Sequence, residues 1–390
     1  MIGHLLAAVA ALGLAAPDPF KVPVTPAYQP QDKDERGLWM QVAEVERTLK
    51  TSGFVVRDPA LNAYVRGVFC RAVSDANCAP VRIYLVRTAD FNASMYPNGM
   101  MLVYTGLLLR MRNEAQLAAV LGHEYGHYAY RHSLQNFRSV RSKATVAAWL
   151  SMVPVASYGA YALVSALQMG VIGSIFRFSR EMEREADANS LPLMAGAGYD
   201  PHEAPRIWEQ LRAEMDATAA ARKKRSRKND DGGLFASHPP TRERVATLHA
   251  LADKQAPPGA PDNRRAAYRA ALKDWWPQLI DDQMKRNDFG GTEYVLADLA
   301  QDGPAPELLY ARGELRRARG RPEDLMAAAG FYEQATALPG APAEAWRGLG
   351  LVQLRQGRQA EGRAALAAYL QKKPEATDRA MMTMLAGGAQ

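Results

Sequence analysis

His123-Glu124-Tyr125-Gly126-His127 is the stretch on which the reading of this 390-residue chain turns. Its two histidines stand at i and i+4, so on a helix they share one face and their imidazoles converge on a single point. Neutral imidazole is a good zinc ligand, and a catalytic zinc takes three protein ligands and leaves one position for water. Glu124 directly follows the first histidine, where its carboxylate reaches the water rather than the metal and can take its proton. Upstream, Asn113 is a capping residue, and Leu117, Val120 and Leu121 carry an apolar face into the motif. A helix is therefore expected to run from Asn113 through the histidines.

The third ligand has to come from another segment. A histidine six residues after His127, with a glycine three residues before it, would supply one, but those positions hold Ser133 and Tyr130. His132 falls one position short, about 100° from the ligand face of an uninterrupted helix. It is expected to be structural or to support a ligand. The better source is Ser179-Arg-Glu-Met-Glu183-Arg-Glu-Ala-Asp187, in which Glu183 and Asp187 share a helical face. One carboxylate of such a pair can ligate a metal while the other accepts the N–H of a ligand histidine and sets its tautomer.

Around these two segments the pattern alternates between helix and a little sheet. Asp34 to Lys50 has helical spacing, with Leu38, Val42 and Val45 on one face. Asp58-Pro59 reads as a cap followed by proline in the first turn of a second helix that runs to about Ala72. Val81 to Val86 alternates and is β-rich, and Met95 to Tyr104 reads as a hairpin around Pro97-Asn98-Gly99. Between Lys143 and Arg177 no residue is charged. Residues 144–176 are too few for two membrane passes, and a single pass would separate His123 and His127 from Glu183. A helical hairpin broken near Pro154 or Gly159 is expected, either internal or dipping into a membrane surface.

Composition sets the frame. Hydrophobic residues make up 48% and charged residues 23%, the balance of a globular chain long enough for more than one domain. The net charge of +7 is concentrated in Arg222-Lys-Lys-Arg-Ser-Arg-Lys228, so the chain as a whole gives no electrostatic case for binding nucleic acid. That run, inside a loop expected over residues 216–236, is either simply solvated or drawn to anionic lipid head groups. Residues 1–22 read as a leader with a short apolar run of secretory type, which implies export. Cys70 and Cys78 are the chain's two cysteines, and they suit one local disulfide in an oxidising compartment, with two free thiols as the alternative.

Beyond Ala256 the texture changes to helix pairs. Trp346, Leu349, Gly350, Gly357, Leu366 and Pro374 fall at tetratricopeptide offsets, with Gly362 where an alanine is usual. Leu309, Gly313, Gly320, Ala335 and Pro339 echo them one unit earlier, and residues 272–303 are a candidate for a third, degenerate unit. Helix pairs of this kind bury their apolar faces only by stacking.

With these motifs together, the chain resembles the HtpX/BepA-like periplasmic zinc metallopeptidases of the gluzincin type, and more distantly the CAAX prenyl proteases. The resemblance rests on HExxH followed by ExxxD at Glu183 and Asp187, on Asn92-Ala-Ser-Met-Tyr-Pro-Asn-Gly99 leading into Val103-Tyr-Thr-Gly-Leu-Leu108, and on Ser237-His238-Pro-Pro-Thr241 with Arg244. It spans about residues 35–250, and the repeats parallel a subgroup that carries such an array. It implies one zinc ion per chain held by His123, His127 and Glu183, with Glu124 as base and Asp187 behind a ligand histidine. It further implies that His238 lies near the zinc, steadying an oxyanion or plugging the open position, and that Arg244 supports it. Strand Met100-Met101-Leu102-Val103-Tyr104 would be the edge on which an extended substrate adds.

The expected fold is α+β and mostly helical: a metalloprotease domain with a small sheet over residues 33–252, then an α-solenoid of tetratricopeptide-like pairs over 262–386. The expected activity is zinc-dependent cleavage of internal peptide bonds in misfolded or misassembled envelope proteins in the periplasm. The repeats would dock substrate or envelope assembly machinery, with peripheral membrane contact a further expectation. A scaffold whose site is plugged by His238, and a membrane-embedded protease acting on lipidated substrates, are the rival expectations.

Overall fold

The computed structural model describes residues 20, 23–25, 28–141, 178–226, 241–255, 257, 259–303 and 305–387. The fold is mostly helical with one three-stranded sheet. The leader apart from Phe20, the apolar stretch 144–176, residues 227–236 of the basic loop and His238 lie outside the described residues.

The first helices begin at capping residues. In α1 (Lys33–Thr51), Asp32 accepts from the backbone of Asp34 and Glu35. In α2 (Pro59–Val73), Asp58 accepts from Leu61 and proline occupies the first turn. A short α3 (Asp75–Cys78) follows, and the Cys70–Cys78 disulfide ties it to α2 with the two Cα atoms 5.0 Å apart. Strands β1 (Arg82–Val86), β2 (Ala93–Met95) and β3 (Met100–Tyr104) lead to α4 (Thr105–Arg110) and then to α5 (Glu114–Ala129). Asn113 caps α5 as expected, by accepting from Gln116. Every residue of α5 is buried, so this helix runs through the middle of the core rather than along its surface.

The sheet corrects one expectation. Its order is β1-β3-β2, with β1 parallel and β2 antiparallel to β3. Met100 to Tyr104 is therefore the central strand, with both of its edges already paired, and it cannot accept a further strand. The hairpin folds β2 onto one side of β3, and β1 occupies the other at the register Arg82 to Met100. Gly99, at φ +83°, makes the turn that permits this, where any side chain would be strained. The open edge next to the core helix is that of β2.

Next come α6 (His132–Arg141), α7 (Arg180–Gly196), α8 (Glu203–Ala221) and α9 (Arg242–Ala252). Residues 216–221, expected to begin a loop, continue α8 instead. They are mostly alanine, a strong helix former, and the Thr218 hydroxyl donates to Asp288 at 2.8 Å. Helices α5 and α7 approach so closely that a Cβ on Gly126 would stand 3.0 Å from the Ala186 Cα.

The core does not break between residues 252 and 262. Helices α10 (Arg265–Leu272), α11 (Trp276–Met284) and α12 (Phe289–Leu299) share one apolar cluster with α2, α5 and α8, through Tyr268, Trp276, Ile280 and Leu296. Polar ties follow the same path. Tyr268 donates to the Leu108 carbonyl at 2.6 Å, Arg87 pairs with Asp282 at 2.7 Å, and buried Arg110 pairs with Glu214 at 2.6 Å. The texture change near Ala256 marks new helices, not a new core. Two consecutive helix pairs come last: α13 (Pro306–Arg319) with α14 (Pro322–Thr336), and α15 (Ala343–Arg355) with α16 (Gln359–Lys372); α17 (Arg379–Leu385) ends the described chain. Gly362, the departure noted above, has a packing reason, because a Cβ there would meet Leu354 at 2.8 Å and the Gly350 carbonyl at 3.0 Å. Among the described residues no helix is long and apolar enough to cross a membrane.

Candidate metal centre

Helix α5 sets His123 and His127 one turn apart with their Nε2 atoms 3.0 Å from each other. Ser179 caps helix α7, its hydroxyl accepting from the Met182 amide, and the helix brings Glu183 to the same point. Its carboxylate oxygens lie 3.6 Å from His123 Nε2 and 3.5 Å from His127 Nε2. All three side chains are buried, and one ligand atom from each lies within 4.8 Å of the others.

Behind His123 stands a charged pair. Its Nδ1 donates to Asp187 Oδ1 at 2.9 Å. Arg244, in the first turn of α9, donates from Nε to Asp187 Oδ2 at 2.8 Å and from Nη2 to Oδ1 at 2.7 Å. Its Nη1 lies 3.1 Å from Glu183 Oε2, an ion pair without hydrogen-bond alignment, and its guanidinium rests 3.9 Å above the Trp208 ring. Burial alone would push the Asp187 carboxyl up. The Arg244 charge and the His123 hydrogen bond outweigh it and hold the group well below the ordinary carboxylate range.

Behind His127 the chemistry differs. Its Nδ1 lies 2.8 Å from His132 Nδ1, and His132 Nε2 lies 3.1 Å from Glu185 Oε2. Phe178 stacks on the His127 ring with centroids 3.9 Å apart. Burial lowers the His132 pKa below its usual value, against the raising influence of Glu185. Helix α5 ends at Ala129 and Arg131 adopts φ +54°, so the helical-wheel angle does not apply to His132. That left-handed residue turns the chain back and carries His132 underneath the motif.

The donor set suits a divalent cation. With both imidazole protons on Nδ1, each Nε2 would present a lone pair beside the Glu183 carboxylate, an arrangement that a divalent cation would complete. Two imidazoles and one carboxylate form a donor set that zinc uses at catalytic sites. Glu124 is buried beside this point, and its Oε2 accepts the Met95 amide at 3.0 Å. The outward N–H of edge strand β2 is thereby aimed at the site. A small apolar cavity lined by Phe91, Ala93, Val120, Ile207, Trp208 and Leu248 opens next to His123 and Glu124.

Of the residues singled out in the sequence, His123, Glu124, His127, Glu183, Asp187 and Arg244 come together. Met100 to Tyr104 lie one strand away from the site, and His238 lies outside the described residues. Glu185, Phe178 and Met95 were not anticipated. Only Glu185 carried a sequence signal, as a second acidic residue two positions from Glu183.

Residues 59–252 match the model described as peptidase family M48. A putative beta-barrel assembly-enhancing protease of Vibrio cholerae is 30% identical over 175 residues, covering 43% of this chain and 36% of that protein. A mitochondrial metalloendopeptidase of Arabidopsis thaliana is 35% identical over 129 residues, covering 33% of this chain and 25% of that one. The beta-barrel assembly-enhancing protease of Escherichia coli is 28% identical over 173 residues, covering 42% and 35%. The matches thus span roughly a third of those relatives or less.

Proposed function

Taking residues 59–252 as a peptidase family M48 domain, we propose that the chain is a zinc-dependent endopeptidase acting on extended polypeptide. The observation that carries this is the convergence of His123, His127 and Glu183 with Glu124 alongside. His123, His127 and Glu183 would hold one zinc ion, which supplies an acidified water and a polarised carbonyl. Glu124 takes the proton of the attacking water and returns it to the leaving amine. The Met95 amide fixes its carboxylate for that task. Asp187 holds His123 with its lone pair at Nε2, and Arg244 balances the Glu183 and Asp187 carboxylates.

The substrate adds as a strand to the open edge of β2, not to Met100–Tyr104. Main-chain hydrogen bonds there give affinity with little sequence choice, and the apolar cavity beside His123 takes one side chain. Two relatives named as beta-barrel assembly-enhancing proteases support misassembled envelope proteins as the substrate class. The helix pairs after Pro306, read as tetratricopeptide-like, dock substrate or assembly partner. The leader and the Cys70–Cys78 disulfide support export to the periplasm. His238 is assigned as a plug or oxyanion ligand.

Hydrolysis of unfolded casein by wild type, Glu124→Gln and His238→Ala tests this. Glu124→Gln should be slower by at least about 10²–10⁴-fold, and zinc analysis should find one ion per chain in wild type and a loss in Glu183→Gln. If wild type and His238→Ala are no faster than Glu124→Gln, the chain is a scaffold and not a protease.

A further inference from the structure

We propose that His132 and Glu185 are positioning residues for the metal centre: together they set the tautomer of His127 and raise its strength as a ligand through a hydrogen-bonded relay of two imidazoles and a carboxylate. The proposal rests on the zinc reading above and adds two residues to it.

A neutral imidazole has one N–H and one lone pair. With zinc held as proposed above, His127 Nε2, which faces His123 Nε2 at 3.0 Å and Glu183 at 3.5 Å, turns its lone pair to the metal and its proton belongs on Nδ1. Only one proton fits in the 2.8 Å between His127 Nδ1 and His132 Nδ1. It is the one on His127, and His132 Nδ1 is the acceptor. The proton of His132 is then on Nε2, 3.1 Å from Glu185 Oε2. Reading from the other end gives the same result. An ionised carboxylate only accepts, so Glu185 requires Nε2–H on His132, hence a lone pair on its Nδ1 and a donor on His127. Two independent ends impose one polarity on the whole relay, a constraint that a histidine merely filling space would not satisfy.

The setting preserves this polarity. His132 is fully buried, so water does not compete for either nitrogen. Phe178 stacks on His127 and lies tilted against His132 with centroids 5.9 Å apart. The left-handed Arg131 fixes where His132 enters. An acceptor at Nδ1 makes the opposite nitrogen of a ligand histidine a better donor, and removing such a partner typically weakens metal binding about 10–100-fold.

The test uses the full chain, Zn²⁺ as probe and a competing chelator to read affinity. His132→Leu removes the acceptor and should weaken zinc binding about 10–100-fold. His132→Asn offers an oxygen near the Nδ1 position and should recover most of that loss, though it cannot reach Glu185. Long-range ¹H–¹⁵N spectra of the zinc-loaded wild type should show His127 protonated at Nδ1 and His132 at Nε2. A His132 protonated at Nδ1, or a folded His132→Leu that binds zinc as tightly as wild type, overturns the proposal. Equal weakening by Leu and Asn also overturns it, because packing and not the acceptor would then matter. Should His132→Leu fail to fold, the tautomer spectrum decides, together with Glu185→Ala, which must shift the His132 ¹⁵N signals. A wild type that binds no zinc sinks the proposed function itself. Zinc binding that is insensitive to these variants sinks only the relay.

Discussion

His123 and His127 stand one turn apart on α5 and face the same point, yet the supports behind them are opposite in kind. Asp187 and Arg244, an ionic pair imported from two later helices, hold His123. His132, five residues along the chain and uncharged, holds His127, with Glu185 at the partly exposed end. The ionic shell exists only when α5, α7 and α9 have all assembled, so it ties the metal centre to the global fold. The local shell needs α5, the Arg131 turn and one further contact. Losing a member of the first strands a buried charge, whereas losing a member of the second removes an acceptor. Stability should therefore follow the first and ligand tuning the second.

The largest expected effect is at Asp187. Asp187→Asn keeps an acceptor for His123 but leaves the buried Arg244 guanidinium with Glu183 alone. It should destabilise the metal-free protein by about 3–5 kcal/mol, read from the urea midpoint. Replacing both Asp187 and Arg244 by apolar residues should regain much of that loss while zinc affinity stays low. If Asp187→Asn is no less stable than His132→Leu, the two shells do not differ in the way described.

Next is Gly126, which controls how near α7 comes. A Cβ there would lie 3.0 Å from the Ala186 Cα and 3.3 Å from its carbonyl oxygen, and backbone cannot step aside. Gly126→Ala should destabilise by about 1–3 kcal/mol, even though alanine is the better helix former. Since α7 carries Glu183, Glu185 and Asp187, zinc affinity should fall as well. The His127–His132 contact is made without α7, so His127 should stay protonated at Nδ1, while the His132 ¹⁵N signals should shift as α7 carries Glu185 away. Gly122→Ala is the control, because its nearest neighbour, the Ser190 Cβ, is at an ordinary 3.5 Å. Equal effects at both glycines would remove the close approach as the cause.

Much of this was legible from residues alone, and the gaps have identifiable origins. Caps at Asp58 and Asn113 announce their helices because a side chain meeting its own backbone is a local event. His123, His127 and Glu183 are legible because metal chemistry restricts spacing. Strand order is not local: nothing in Met100 to Tyr104 says that β1 will pair on its far side, and so a central strand reads as an edge. The continuous core past residue 252 is hidden for a similar reason, since Tyr268 and Trp276 look alike whether they face a repeat or α4 and α2. The wheel angle of His132 presumes a helix that in fact stops at Ala129.

The smallest expected effect serves as the control for both shells. Glu46 of α1 touches neither. It accepts from Arg82 at 2.6 and 2.7 Å, from the Tyr84 hydroxyl at 2.8 Å and from Asn98 at 3.1 Å, tying α1 to the sheet and to the hairpin turn. Burial pushes its carboxyl up, but the Arg82 and Tyr84 hydrogen bonds prevail and bring it down to about 2. The folded value lies below the unfolded one, so the stabilisation is complete above the ordinary glutamate range and disappears as pH falls towards about 2. Arg82 is 40% exposed and solvent screens the pair, so Glu46→Gln should cost only about 1–2 kcal/mol near neutrality. The gap between wild type and Glu46→Gln in urea titrations should close between about pH 4.3 and 2. Zinc affinity at neutral pH should be unchanged in this variant. If Glu46→Gln weakened zinc binding as much as His132→Leu does, affinity would be reporting general stability, and the contrast between the two ligand histidines would lose its chemical meaning.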